Sequence, residues 1–311
     1  MGVSGLNRGR NRKQSKYSPL DKNGFAVGYL MLAPALVLLT IFVMVPLGMA
    51  VYYSFFDWQF YQDSIFVGFD NFKMILRTAN FRQALWNAIK FTIIIVPMVI
   101  ILAFLLAHAL KVVPRRFSNV IKTAIYVPGI ISGIAAGTIF LFMMEYKGGV
   151  LNQLVRAITG ERVAFLTNVD YATWAVAFPT VWLWLGMNTI LMFAGLMNVP
   201  EEYYEAAAID GAGFFRKTFY ITVPQMRNVL VLMCINLTTL TLQLFDVPLM
   251  LTQGGPRNTT LTPILYLYNN YRDPGKSMGY TIAGALLVML VIALINSLII
   301  TLVKSEKTTE G

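Results

Sequence analysis

Asn236, Thr239, Gln243 and Asp246 are polar residues in a largely apolar stretch from Arg227 to Leu251. Their spacings of three, four and three residues predict one shared helical face. A polar group costs free energy in hydrocarbon, and an aspartate at a bilayer centre costs on the order of 2.5–3.5 kcal/mol on insertion scales. The stripe is therefore expected to face other helices or a wet cavity. Upstream, Trp184 and Asn188 share a face at i, i+4, with Trp182 nearby. Amides, a carboxylate and tryptophans around a cavity suit a neutral polyhydroxylated solute, whose hydroxyls take hydrogen bonds and whose ring face lies on an aromatic. The alternative is that these groups only hydrogen-bond between helices.

Covalent chemistry has little to work with. His108 is the only histidine and Cys234 the only cysteine, so neither a disulfide framework nor a thiolate metal site is possible within this chain. No His/Cys/Asp/Glu set has metal-ligand spacing, and no catalytic residue is expected. Gly275-Lys276-Ser277 matches the end of a phosphate-binding loop, but the glycine that motif needs five residues earlier is Asn270. An enzyme reading is poor.

The elements that must position the polar residues are membrane helices. The chain of 311 residues is 57% hydrophobic and 13% charged, about half the charge of a soluble domain. Six apolar segments, 26–50, 87–110, 120–144, 172–196, 227–251 and 279–303, each approach or exceed the ~20 residues that cross a bilayer. An all-α, polytopic membrane protein is expected, with residues 1–24 a disordered basic tail and 25–311 the transmembrane domain. The third segment carries Gly129, Gly133 and Gly137 at four-residue spacing, a smooth face for close helix contact. The net charge of +10 is spread along connectors, which argues against nucleic acid and for a positive-inside topology. That rule puts both termini and the 198–226 connector in the cytoplasm, with connectors 51–86, 145–171 and 252–278 outside.

The 198–226 connector is a polar and small-residue island. Asn198 is expected to cap a helix with Pro200 in its first turn, and Glu201 and Glu202 suit the positive end of its dipole. Gly211 is expected to end that helix in a left-handed turn. A second helical piece, 214–221, is expected to stop by Val223, because Pro224 disfavours a helical residue before it. Two short helices meeting at a glycine, with the alanine-only patch Ala206-Ala207-Ala208 on the first, are expected to present a narrow knob that another protein could grip.

Glu205-Ala206-Ala207, three residues, Gly211, nine residues, Ile221, one residue, Val223-Pro224 resembles the EAA loop of ABC-importer permeases. The family pattern has Leu where this chain has Val223, a mild apolar change. Phe66-Val67-Gly68-Phe69-Asp70-Asn71-Phe72 and Leu251-Thr252-Gln253-Gly254-Gly255-Pro256 are similar to stretches in the carbohydrate-uptake branch, which includes maltose- and glycerol-phosphate-type permeases.

The resemblance implies a six-helix type I importer permease fold in the cell's inner membrane. It also implies partners: a second homologous permease, two ABC ATPase subunits and an extracellular solute-binding protein. No cofactor is expected in this chain, since the partner ATPases would bind ATP and magnesium. Glu205, Ala206, Ala207, Asp210, Gly211, Ile221 and Pro224 would form the contact that couples ATPase to permease. Trp182, Trp184, Asn188, Asn236, Thr239, Gln243 and Asp246 are the candidate solute path. The rival readings are an ion-gradient-driven secondary transporter, with Asp246 as proton carrier, and a membrane scaffold.

Overall fold

The computed structural model describes residues 22–59 and 63–305. Residues 1–21 of the expected basic tail lie outside the described residues, and Lys22 already begins a helix. The chain falls into two compact units, Met1–Tyr52 and Tyr53–Gly311.

The first unit is one apolar helical rod. An α-helix over Lys22–Leu39 passes through a π-helical turn at Thr40–Met44 into Val45–Tyr53. Its span, Gly28–Tyr53, has a mean hydropathy of 2.6 and buries none of its window.

The second unit holds the remaining spans: Ala79–Val112 (second), Val169–Met197 (fourth), Arg227–Leu251 (fifth) and Met278–Thr301 (sixth). The third is a bent pair, Arg115–Ile130 and Gly133–Met144, meeting at 94°. By length and composition the helices thus make five spans, or six with the bent pair as one, as the apolar segments predict. The second and fourth spans pack most extensively against each other. Their shared core includes Phe91, Ile95, Val99, Val176 and Met192, with Met233 and Leu237 from the fifth span. A second cluster gathers Ile75, Phe81, Leu265 and Val288.

Close approach is set by glycine. A Cβ on Gly186 would lie 2.2 Å from the Ile125 carbonyl oxygen, so only glycine lets the fourth span meet the third at that point. Gly133 and Gly137 face Asp246 and Met250, where an added Cβ would come within 2.7 Å of each side chain. Gly129, beyond the bend, instead faces the Leu183 carbonyl of the fourth span. The three glycines therefore serve two neighbours, because the helix carrying them breaks between Gly129 and Gly133.

The connectors expected outside are pinned by three asparagines that are nearly fully buried. Asn71 donates to the Ser54 and Phe56 carbonyls, both at 2.9 Å, holding the short hairpin Phe56–Asp57 and Ile65–Phe66 on the Asp70–Arg77 helix. Asn87 of the second span donates to the carbonyls of Asn258 at 2.6 Å and Leu261 at 2.9 Å. Asn152 donates to Met144 and Glu145 and accepts from the Val163 N–H at 2.8 Å. Buried carbonyls need donors, and a single amide supplies two. Asn87→Ala is expected to cost about 1–3 kcal/mol, because two loop carbonyls lose their donor. The thermal unfolding midpoint of the detergent-purified protein measures it.

Candidate functional site

Two helix breaks face each other inside the second unit. Pro248 has no N–H to give the Leu244 carbonyl, and its ring crowds that carbonyl. The helix accordingly stops at Leu242, runs irregularly through Gln243, Leu244 and Phe245, and restarts at Asp246. Pro128 sits in a 3₁₀ turn, Val127–Ile130, after which the chain bends by 94° through Ile131 and Ser132. Ser132 then caps the next helix, accepting from the Ala135 N–H at 3.2 Å.

Between the breaks lies a cavity of about 290 Å³. Gly129, Ile131 and Gly133 line it from one break, Gln243, Phe245 and Asp246 from the other, with Thr180 and Trp184 from the fourth span. Non-helical backbone at membrane depth is tolerated where it lines such a cavity, and discontinuous helices are a recurrent way to build a transport site.

The structure brings together three of the seven candidate solute-path residues: Trp184, Gln243 and Asp246. The other four lie elsewhere. Thr239 accepts from the Asn296 amide of the sixth span at 2.8 Å while donating to the Ile235 carbonyl. Asn188 is buried and donates to the Trp184 carbonyl at 2.8 Å. Trp182 packs edge-on to Phe140 at 5.4 Å, and Asn236 is exposed on the surface of the fifth span. The stripe is divided in two: Asn236 and Thr239 lie on the helix that ends at Leu242, Gln243 and Asp246 at the break beyond it. Thr180 escaped the sequence reading, though it lies one turn before Trp184 on the face shared with Asn188. Its hydroxyl already donates to the Val176 carbonyl at 2.8 Å, so it presents an oxygen rather than a free donor.

The 198–226 loop has the two helical pieces in the expected order. The Glu201–Ile209 helix ends with Asp210 as its C-cap and Gly211 at φ 72°. The Ala212 N–H reaches the Ala207 carbonyl at 2.8 Å and the Gly211 N–H that of Ala208 at 3.0 Å, a Schellman ending that needs a left-handed residue. Glu205, Ala206, Asp210 and Gly211 are exposed, and Ala207 is half-buried.

Two details differ from expectation. Asn198 is the C-cap of the fourth span, and Pro200 takes the N-cap position of the loop helix with no side-chain bond. The second piece also continues past Val223: a π-helical turn at Thr218–Thr222, closed by the Val223 N–H on the Thr218 carbonyl, leads straight into Val223–Gln225. The wider turn makes room for the Pro224 ring, as the turn at Thr40–Met44 does before Pro46. Pro224 is exposed and Ile221 packs on the main core.

The loop is fastened at few points. The Tyr204 hydroxyl lies 2.9 Å from that of Thr222, the Lys111 ammonium sits 4.8 Å over the Tyr204 ring, and Phe214 meets His108 edge-on at 5.8 Å. His108 is thereby a packing residue, with Phe104 4.2 Å from its ring and the Phe104 carbonyl 3.0 Å from its Nδ1.

Broken spans around a cavity with a few polar groups, and an exposed two-helix loop, fit a membrane permease. The sequence profile described as "binding-protein-dependent transport system inner membrane component" matches residues 99–305. The sulfoquinovosyl glycerol transport system permease protein of Agrobacterium fabrum is 30% identical over 253 residues, covering 81% of this chain and 82% of that protein. The lactose transport system permease protein of Rhizobium radiobacter is 32% identical over 274 residues, covering 87% and 92%. The arabinooligosaccharides transport system permease protein of Bacillus subtilis is 30% identical over 293 residues, 91% of each chain. In fold, the chain is similar to a bacterial ABC transporter involved in import of the acidic polysaccharide alginate, with a TM-score of 0.75, 21% identity and coverage of 90% and 96%. The chain belongs to the family of inner membrane components of binding-protein-dependent transport systems. It is a multi-pass permease subunit with the ABC-importer permease fold, and the ion-gradient-driven alternative is set aside.

The placement separates two kinds of variant. Gln243→Ala and Asp246→Asn are expected to raise the solute level for half-maximal transport by about fivefold to tenfold, the loss of one hydrogen bond each. Thr239→Val is expected to leave that level unchanged and lower the unfolding midpoint, since it strips the Asn296 amide of its acceptor. Transport assays and thermal scans on the same preparations read both.

Proposed function

We propose that this chain translocates a sugar or sugar-like solute, handed over by an extracellular binding protein, as one permease of an ATP-driven importer. It pairs with a second homologous permease and two ABC ATPase subunits, and both termini and the 198–226 loop lie in the cytoplasm. The cavity between the two helix breaks carries this reading. It offers an amide at Gln243, a carboxylate at Asp246 and an indole at Trp184, groups that hold hydroxyls and a ring face. The named solutes of the three relatives above, a sulfoquinovosyl glycerol, lactose and arabinooligosaccharides, support the same solute class.

Transport proceeds by alternating access. Closure of the ATPase pair pushes the Glu201–Ile209 helix, the spans follow, and the cavity opens outward to the docked binding protein; hydrolysis and release return it inward. Glu205 supplies a charged contact, Ala206 and Ala207 close approach, and Asp210 and Gly211 the turn. Ile221 and Pro224 join the handle to the fifth span. The π-helical turn before Pro224 is a soft joint at that point.

Solute-stimulated ATPase activity of the reconstituted complex across a sugar panel tests the assignment: stimulation by a carbohydrate is expected, and none by any sugar overturns it. Gly211→Pro and Glu205→Lys are expected to reach the membrane at wild-type levels yet lose most stimulated ATPase activity and uptake. Wild-type uptake in both, at matched expression, would count against the coupling role.

A further inference from the structure

A second cavity, of about 460 Å³, opens beside the first turn of the Glu201–Ile209 helix. Lys111, Arg115 and Lys122 line it against a single acid, Glu201. In its lining is Ser118, 4% exposed, whose Oγ has no hydrogen-bond partner. Helical hydroxyls commonly donate to the carbonyl four residues back, as Thr123 of the same helix does to Asn119 at 3.0 Å. For Ser118 that carbonyl is Pro114's, which already accepts the N–H groups of Phe117 and Ser118, both at 3.0 Å. The hydroxyl is left to serve something else.

The surroundings say what. Arg115 opens the 12-residue helix Arg115–Tyr126, whose first N–H groups have no side-chain cap, so the positive end of a helix dipole meets the cavity. Among the described residues no carboxylate comes within ion-pair distance of Arg115, Lys111 or Lys122, although Glu201 borders the same cavity. The Lys122 ammonium rests 3.6 Å over the Phe193 ring and that of Lys111 over Tyr204, and a ring face orients an ammonium without saturating its three donors. Leu110, Val113, Phe193 and Met197 give the cavity an apolar side, Asn119 adds one more polar group, and Met197 is 53% exposed. The same short helix shows Phe117 and Val120 on its surface at 53% and 68% exposure, apolar groups open to acyl chains.

We propose that this cavity binds a phosphate group, that of an anionic phospholipid in the leaflet on the coupling-loop side. Arg115 and Lys111 receive its oxygens, and the acyl chains lie along the apolar side. The Ser118 hydroxyl, closed off from the cavity as it stands, joins the two cations by a turn about its Cα–Cβ bond. Basic pockets between spans commonly take such headgroups. Glu201 borders the occupant, so the lipid's charge acts on the helix proposed to meet the ATPase. That this leaflet is the cytoplasmic one rests on the import reading above.

Native mass spectrometry of the purified transporter complex, titrated with phosphatidylglycerol, phosphatidylcholine or inorganic phosphate, tests the site. Phosphatidylglycerol is expected to remain bound and phosphatidylcholine to be lost. Affinity for phosphatidylglycerol is expected to fall about fivefold in Arg115→Gln, the worth of one cation near a lipid surface, and to fall measurably in Ser118→Ala, a change too small to threaten folding. Unchanged retention in both variants overturns the proposal. Saturation by inorganic phosphate alone, with the same dependence on Arg115 and Ser118, replaces the lipid with a free anion. Loss of ATPase subunits from Arg115→Gln with lipid retention intact assigns the surface to an acidic protein contact and overturns it too. Binding in detergent is blind to sidedness, so a negative result leaves the import reading standing. Labelling of a cysteine at Ala207 from one side of the membrane tests that reading separately.

Discussion

Proline inside a helix removes a backbone donor, and within a bilayer no water can replace it. The chain answers this constraint in three ways. At Pro34, Pro97 and Pro179 the helix simply continues. Before Pro46 and Pro224 it widens by one residue into a π turn that is completed just ahead of the ring. At Pro128 and Pro248 it gives way, and the two interruptions meet around the polar cavity. The third and fifth spans therefore owe their shape to where the ring closes off a carbonyl. The permease has an interior site because the two interruptions line one cavity.

The cavity also depends on what is missing from its walls. Gly133 stands where a side chain would strike the Asp246 carboxylate, and Gly137 where one would strike Met250. Close approach brings backbone and carboxylate together at the restart of the fifth span, where Asp246 occupies the first turn of a new helix. An acid is stabilised at that end by the helix dipole, which offsets part of the cost of placing it at membrane depth. Away from the cavity, polar groups are satisfied locally: Thr239 with Asn296, and Asn71, Asn87 and Asn152 with connector carbonyls.

The 198–226 loop follows a different logic. A nine-residue helix is too short to be stable alone, and this one is held through Tyr204, by its hydroxyl contact with Thr222 and the Lys111 ammonium over its ring. Its outer surface carries Ile209 at 88% exposure and Tyr220 at 81% beside the alanines. Apolar groups so exposed on a short, lightly anchored element form a surface suited to another protein.

The sequence by itself determined the number and order of the spans, because length and hydropathy are local properties that the bilayer reads directly. It also determined the turn at Gly211, because a left-handed residue after a helix is a local demand met at least cost by glycine. The spacing Glu205 to Pro224 carried the family for the same reason: it is written within one short stretch. Where the polar residues point was decided only in three dimensions. Asn236 and Thr239, on one unbroken helix, part to the surface and to Asn296, whereas Gln243 and Asp246 meet at the cavity across the break before Pro248. Asn188 turned to its own helix and Trp182 to Phe140, while Thr180, Gly129 and Gly133 reached the cavity from spans far apart in the chain. A pattern of residues along one helix records its own periodicity. It does not record which neighbour a face will meet, and that is fixed by packing.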